Sequence, residues 1–131
     1  MASIDYKIGE PRAKWLFGTA FLSAGGGSVI LSSLSTDYVQ CPVTASEAGT
    51  AINPTTLVVA LAFTTVGTPP VSGDWKTGSW DTAPSGGYLA QLLVGPGAGG
   101  NVYAKGTYAA WVRITDNPEI PVQQVGTLQI V

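Results

Sequence analysis

The amino-acid sequence predicts an all-β protein of the two-sheet sandwich class. Glycine and proline are frequent, with 17 Gly and 9 Pro in 131 residues, and only 11% of the residues are charged. Short apolar stretches alternate with turn signals at intervals of about ten residues, which is typical of a sandwich. Because 45% of the residues are apolar, the chain is too hydrophobic to be disordered, and we expect a single core.

Residues 106–131 indicate two strands joined by a tight turn, and they carry most of the fold prediction. Residues 108–114 alternate with the period of two that a strand with one buried face shows. The phase puts Tyr108 in the buried layer and Trp111 outside it. Asn117 suits the first position of a β-turn and Pro118 the second.

Tyr108 follows Gly106 and Thr107 at the head of this late strand. Immunoglobulin-like sandwiches place a corner tyrosine there, and its hydroxyl bonds back to the chain a few residues upstream. The sequence therefore predicts an immunoglobulin-like β-sandwich over residues 36–131, preceded by an N-terminal arm and hairpin over residues 1–35.

The other strands of the sandwich follow in order from residue 38. Residues 56–64 are apolar on both faces, so we expect them at the centre of a sheet. Residues 65–73 contain two prolines and two glycines and predict an irregular connection. The remaining expected strands are 38–43, 74–80, 88–94 and 102–105.

The N-terminal segment differs from the sandwich in pattern. Residues 1–14 are polar, and Gly9 and Pro11 predict irregular structure there. Residues 15–22 and 28–34 are apolar stretches around a glycine-rich loop, which indicates a hairpin. A two-stranded ribbon is marginal alone, so we expect it to be buried against its own sandwich or against another molecule. In the second case, a chain that begins near Ser35 would stay folded but bind its partner more weakly.

The residue inventory argues against an enzyme. The sequence has no histidine and one cysteine, Cys41. The commonest general base and metal ligand are therefore missing, and a cysteine or serine nucleophile would lack an imidazole partner. Cys41 has no basic neighbour, which predicts an inert buried thiol. We expect no catalytic residue, no cofactor and no metal ion.

Charge and hydropathy exclude two further classes. With a net charge of −2, the chain lacks the excess of basic residues that is typical of a nucleic-acid-binding protein. The longest strictly apolar run, Leu57–Phe63, is far shorter than the ~20 residues that cross a bilayer. Lys7, Arg12 and Lys14 supply half of the basic residues, and a positive segment of this kind can guide docking to an acidic partner.

Two oxygen-rich or glycine-rich segments imitate ligand sites. Asp116, Asn117 and Glu119 bunch three oxygen-bearing side chains, but their spacing is not that of a calcium loop, and a structural turn is favoured. Residues 95–100 are glycine-rich but lack the lysine and the helix of a phosphate-binding loop, so a flexible, open connection is expected.

Three aromatic residues around one turn allow two interpretations. Trp75, Trp80 and Tyr88 could form a platform for sugars, or they could belong to the core and to subunit contacts, which the sequence favours. The odd spacing of the two tryptophans puts them on opposite faces of a regular strand. Trp111 is expected to point outward and to be covered by another strand, an arm or a neighbouring subunit.

A family resemblance adds a functional expectation. The stretch from Tyr108 to Val122, with Gly126-Thr-Leu-Gln-Ile after it, resembles small structural proteins of tailed bacteriophages that infect actinobacteria. Asn53-Pro-Thr55, the stretch Trp75–Trp80 and Leu92-Leu-Val-Gly-Pro96 are similar to that group too. The resemblance covers residues 38–131. It implies an immunoglobulin-type module of the virion, in the head or the head–tail region, with no active-site residues.

These observations predict a non-enzymatic structural virion protein, assembled in the host cytoplasm, that decorates or reinforces a capsid. Its partners would be the major capsid protein or copies of itself, with no nucleic acid and no membrane. The alternatives are a neck or tail component, and a carbohydrate-binding adhesion module. The candidate partner contacts are Lys7, Arg12, Lys14, Trp15, Leu16, Phe17, Phe21, Val29, Ile30, Leu31, Trp80 and Trp111.

Overall fold

The computed structural model describes residues 4–8 (backbone alone for 4–7), 22, 27–82 and 87–131. These residues form ten strands and one 3₁₀ turn, Ser72–Asp74, so the all-β prediction is confirmed. The strands are β1 Ile4–Ile8, β2 Ser28–Leu31, β3 Asp37–Glu47, β4 Thr50–Ile52, β5 Val58–Thr65, β6 Lys76–Thr77, β7 Ser79–Thr82, β8 Tyr88–Val94, β9 Gly106–Thr115 and β10 Val122–Ile130.

The strands form two sheets. The first sheet has the order β1-β3-β8-β7, with β4 beside the end of β3, and the second has the order β2-β10-β9-β5-β6. Neighbouring strands are antiparallel except for β2, which runs parallel to β10. The chain passes repeatedly from one sheet to the other, and the core lies between the two layers.

The core is built from alternate residues of the long strands, as a half-buried strand requires. On β9 the inward side chains are Ala110, Val112 and Ile114, and each is fully buried. Burying a side chain of valine, leucine or isoleucine contributes about 1.5–3 kcal/mol. The other large members are Val39, Val43, Val59, Leu61, Phe63, Leu92, Val94, Val125 and Leu128.

The final two strands agree with the sequence in period and in phase. Tyr108 packs against the core, whereas Trp111 lies on the opposite face of β9. The turn between the strands is closed by Asp116 and Glu119, whose amides donate to each other's carbonyls at 2.9 and 2.7 Å. The sequence predicted Pro118 at the second position of this turn, but it is the third residue. The peptide bond before Pro118 is cis.

The strand predicted over residues 74–80 is wrong, because the chain changes sheets within it. Lys76–Thr77 pairs with β5 in the second sheet, whereas Ser79–Thr82 pairs with β8 in the first. Gly78 sits at the crossing, where an added Cβ would collide with the carbonyl oxygen of Gln91. Glycine allows this close approach of two backbones.

The N-terminal strands belong to the two sheets. Ile4–Ile8 pairs with β3, in a region that the sequence assigned to an irregular arm. Ser28–Leu31 pairs with β10, and the other half of the predicted hairpin, residues 15–21, lies outside the described residues. The amide of Leu22 donates to the carbonyl of Gln40 at 3.0 Å, and the Leu22 side chain is in the core. A division at residue 35 therefore separates β1 and β2 from the strands with which they pair.

Two smaller differences concern connections. β3 continues to Glu47 and turns into β4, in a stretch that the sequence predicted to be irregular. Residues 102–105 form no strand and belong to the crossing from β8 to β9. The placement of β5 between β9 and β6 confirms its expected position within a sheet, with residues 59–64 buried on both faces.

Candidate functional site

A tyrosine anchors the connection between β8 and β9. The Tyr108 hydroxyl donates to the carbonyl oxygen of Ala104 at 2.6 Å, which is the bond expected of a corner tyrosine. The Tyr103 ring packs edge-on against Tyr108 and Phe63, with centroids 5.7 and 5.2 Å apart. These rings fix the connection against the second sheet, and we call this end of the sandwich the tyrosine-corner end.

The hydroxyl of Tyr103 is buried there and bonds to no other described group. Burial, helped by the negative charge of Asp74 and by Tyr108, raises the pKa of Tyr103 from 10.0 to about 12. Burial disfavours the charged phenolate, so this tyrosine is neutral at all physiological pH values and offers no base or nucleophile.

Three exposed apolar residues lie at the tyrosine-corner end of the sandwich. Leu34 is 87% exposed, Val102 73% and Val131 51%. The Ser33 amide donates to the carbonyl of Val131 at 2.8 Å, so the turn that carries Leu34 lies beside residue 131. Val102 lines a shallow cleft with that same turn, and the cleft is floored by Leu31, Val94, Tyr103 and Ile130. We call Leu34, Val102 and Val131 the apolar end patch.

The glycine-rich stretch beside this patch is a connection, as predicted, but hydrogen bonds hold it where the sequence predicted a flexible loop. The Gly97 amide donates to the hydroxyl of Thr36 at 2.8 Å, and the Gly95 and Gly100 amides donate to the carbonyls of Asn101 and Gly97. Because these amides are occupied, they do not converge on a shared anion.

The outer face of the second sheet carries a second feature. The Arg113 guanidinium lies over the Trp75 ring, 4.6 Å from its centroid, a cation–π geometry. Its Nε is buried, and Arg113 forms no hydrogen bond or ion pair with another described residue. On either side of Arg113 the register places Ala60 and Val122.

Trp111 lies two residues away on that face, and the chain itself covers it in part. Its indole nitrogen donates to the Thr64 hydroxyl at 3.2 Å, and that hydroxyl donates to the Thr68 carbonyl at 2.7 Å. The small neighbour Ala62 is fully buried beneath this cover. The expected outward position of Trp111 is confirmed, and its indole is held by the neighbouring strand β5.

The outer face of the first sheet carries a polar network without free reactive groups. The Gln40 side-chain amide donates to Gln91 at 2.8 Å and to Asp81 at 3.3 Å, and Gln91 donates to Ser79 at 3.1 Å. Gln91 is only 8% exposed. The bonds satisfy these buried polar atoms, so the network is structural.

The structure describes five of the twelve predicted partner contacts, and one of them is the half-buried Trp111 of β9. Val29 is 5% exposed and belongs to the core, so its assignment as a contact is wrong: on β2 the inward residues alternate with outward ones. Ile30 is 62% exposed on the outer face, and Leu31 lines the cleft of the apolar end patch. Trp80 packs against the core and its indole donates to the carbonyl of Leu57 at 2.9 Å, so it is a structural residue in large part.

The other seven predicted contacts lie outside the described residues or, for Lys7, outside the described side chains. They are Lys7, Arg12, Lys14, Trp15, Leu16, Phe17 and Phe21.

The predicted aromatic platform is not assembled. Trp75 belongs to the second sheet's outer face, whereas Trp80 and Tyr88 lie on paired strands of the first sheet. Trp80 and Tyr88 point towards the core side, as their register with Ala90 and Val43 shows. The three rings therefore do not share a surface.

Cys41 is fully buried, as predicted. Within residues 4–8, 22, 27–82 and 87–131, no three side chains of the types Asp, Glu, Cys or His are grouped in a way that could hold a metal ion. The same part of the chain contains no helix with the length and hydropathy needed to cross a bilayer.

Sequence reasoning missed the apolar end patch and the Trp75–Arg113 pair. Leu34 and Val102 each lie in a connection, where a single apolar residue gives no periodic signal. Arg113 is one charge in an alternating strand, and its stacking on Trp75 depends on the change of sheets at Gly78. Neither pairing is visible from spacing along the chain.

Comparison with protein-family models, with curated proteins and with solved structures finds no match to this chain.

Proposed function

We propose that this chain is a non-enzymatic structural protein of a tailed-bacteriophage particle that reinforces the capsid through contacts with the shell or with its own copies. Support comes from the resemblance of residues 38–131 to structural proteins of such phages. It also comes from a sandwich whose exposed features are apolar and stacking groups, without a cluster of reactive side chains in its described part.

We further propose that the sandwich is of the immunoglobulin type. The order β1-β3-β8-β7 corresponds to strands A-B-E-D, and β10-β9-β5 to G-F-C. The bond from Tyr108 to Ala104 lies at the start of the strand corresponding to F. Cys41 and Ala110 are both buried on the strands that correspond to B and F, where antibody domains carry their disulfide.

The apolar end patch is the observation that carries the proposed contact. Leu34, Val102 and Val131 are exposed apolar residues at one end of the sandwich, Val102 lines the cleft there, and Tyr108 bonds to the adjoining connection. Covering such surfaces removes apolar area from water, and a partner that binds only the folded chain stabilises it by linkage. A rigid frame behind the patch lowers the ordering cost of binding.

The test uses purified shells of the phage that carries this chain, prepared without it. The variant Leu34→Ser/Val102→Ser removes the patch, and Val58→Ser/Ile120→Ser removes exposed apolar groups at the opposite end of the sandwich, where β5 begins and β9 ends. We expect the first variant to lose most of its occupancy on shells and the second to bind as the unchanged protein does. Thermal midpoints should be similar for all three.

Normal binding by the patch variant would move the contact elsewhere on the sandwich. Failure of the unchanged protein to bind shells, combined with binding to isolated necks or tails, would favour the neck or tail alternative. The carbohydrate-binding alternative is weakened by the separation of Trp75 from Trp80 and Tyr88, and binding to a glycan array that Trp75→Leu abolishes would restore it.

A further inference from the structure

We propose that the Trp75–Arg113 pair is a recognition site for a carboxylate group on an acidic peptide segment of a partner protein. The site lies on the outer face of the second sheet, apart from the apolar end patch, so it does not depend on the contact proposed above. The indole holds the guanidinium in one orientation, and the guanidinium supplies the charge.

The Arg113 guanidinium is partly buried and has no hydrogen-bond partner among the described residues. Its Nε is buried without a partner, while no bond to a described residue occupies its terminal nitrogens and they are not among the buried atoms. The guanidinium is therefore partly removed from water and still has donors that no described residue occupies. A carboxylate can accept two parallel hydrogen bonds from such a group.

The chain does not supply this acceptor from its own described acidic residues. Asp74 accepts from the Val71 amide at 2.9 Å, and Asp81 accepts from Gln40 and from the Thr82 amide. No bond or ion pair joins any of the described acidic side chains to Arg113. The described part of the chain therefore leaves Arg113 without an anionic acceptor, and an acidic partner can supply one.

The surroundings favour a carboxylate over a phosphate. Among the outward-facing described residues of β9 and its neighbours β5 and β10, Arg113 is the only charged one, and the register places Ala60 and Val122 beside it. One guanidinium balances a carboxylate, whereas a dianionic phosphate is usually met by more than one donor group.

The surroundings also favour a peptide over a sugar acid. Sugars bind tryptophan by stacking on an open ring face, but the Arg113 guanidinium already covers one face of Trp75. The exposed neighbours Val122 and Gln124 offer an apolar contact and an amide. These groups suit the side chains and backbone that flank an acidic residue.

The experiment follows the side-chain Nε–Hε signal of Arg113 by NMR. The chain has two arginines, Arg12 and Arg113, so the variant Arg113→Lys assigns the signal by its disappearance, and Arg12 serves as an internal control. The ¹⁵N-labelled full chain is titrated with a capped tetraglutamate peptide, a capped tetraglutamine peptide, inorganic phosphate and glucuronate, at constant ionic strength.

We expect a saturable shift of the Arg113 signal with tetraglutamate, and no shift with tetraglutamine. Arg113→Lys and Trp75→Leu should each weaken binding of tetraglutamate by about tenfold or more, followed through the backbone amides of β9, because a lysine lacks the planar fork and leucine lacks the stacking face. Both variants should keep the thermal midpoint within a few degrees.

Several outcomes would overturn the proposal. An equal response to tetraglutamine, or equal movement of the Arg12 signal, would mean nonspecific binding. Tighter binding of phosphate or of glucuronate than of tetraglutamate would assign the site to a different ligand. An unmoved Arg113 signal at saturating peptide would mean that the pair is structural.

Discussion

The Tyr108 hydroxyl and the Ala104 carbonyl oxygen lie 2.6 Å apart and are joined by a hydrogen bond across four residues. The neighbouring Tyr103 shares the same ring cluster, but its own hydroxyl is buried with no bond to a described group. Of these two tyrosines in ring contact, Tyr108 therefore has a hydrogen-bonded hydroxyl, whereas the Tyr103 hydroxyl has no described partner. This contrast allows the value of the corner bond to be measured with a matched control.

Replacing Tyr108 by Phe should destabilise the fold by about 1 kcal/mol, because one hydrogen bond at a partly solvated site is lost. Tyr103→Phe should leave stability unchanged or raise it slightly, since the removed hydroxyl had no partner. Denaturant midpoints of the two variants and the parent measure the difference. Equal midpoints for Tyr108→Phe and the parent would show that the bond does not hold the corner.

Alkaline pH should reduce stability through Tyr103. Burial raises its pKa in the folded protein to about 12 from 10.0, so the unfolded chain loses this proton first. The stabilising contribution is complete below pH 10 and is lost as pH rises towards 12. Between pH 8 and pH 12, the free energy of unfolding should fall less steeply for Tyr103→Phe than for the parent. Parallel pH dependences of the two proteins would contradict this assignment.

Adjacent residues of β2 should respond differently to truncation. Val29→Ala should cost about 1–3 kcal/mol, because Val29 is buried in the core and its loss leaves a cavity. Ile30→Ala should change stability by less than about 0.5 kcal/mol, because Ile30 is 62% exposed. Thermal midpoints test both. A larger effect at Ile30 would mean that the register of β2 beside β10 is different.

Removal of residues 1–34 should unfold the protein. The sequence alone had predicted instead that a chain beginning near Ser35 would remain a folded sandwich. A chain that begins at Ser35 lacks β1 and β2 and the buried side chains of Ile8, Leu22 and Val29. Each of these contributes about 1.5–3 kcal/mol, against a total stability of about 5–15 kcal/mol. Circular dichroism and thermal melting of the shortened chain decide; a cooperative transition near the parent's midpoint would show that the two strands are dispensable.

Two glycines with positive φ should differ in their tolerance of alanine. Gly126 has φ +91 beside the bulge of β10, and an added Cβ would collide with the carbonyl oxygen of Gly27, which accepts a bond from the Thr127 amide. Gly49 has φ +83 with no atom within 4 Å of its Cβ position. Gly49→Ala should cost about 1 kcal/mol from backbone strain, and Gly126→Ala clearly more. Similar losses at both sites would mean that the backbone near Gly27 can yield.

The alternation of β9 was readable from the sequence, because the direction of a side chain on a strand depends only on its position along that strand. The inward position of Tyr108 and the outward position of Trp111 follow from this local rule, whereas the turn was predicted from its turn-forming residues, with Pro118 one position too early. The buried Cys41 and the loop over residues 95–100 were predicted for similar reasons, since a thiol without charged neighbours and a run of glycines need no distant partner to be interpreted.

The tertiary structure decided everything that depends on which strand pairs with which. β2 lies parallel to β10, almost a hundred residues away, and that pairing turns Val29 inward and Ile30 outward. The change of sheets at Gly78 separates Trp75 from Trp80 and brings Trp75 to Arg113. Local propensity and periodicity describe a strand alone, but pairing is set by the burial and hydrogen bonding of the whole sandwich. For the same reason, only the fold could bring Leu34, Val102 and Val131 to one end.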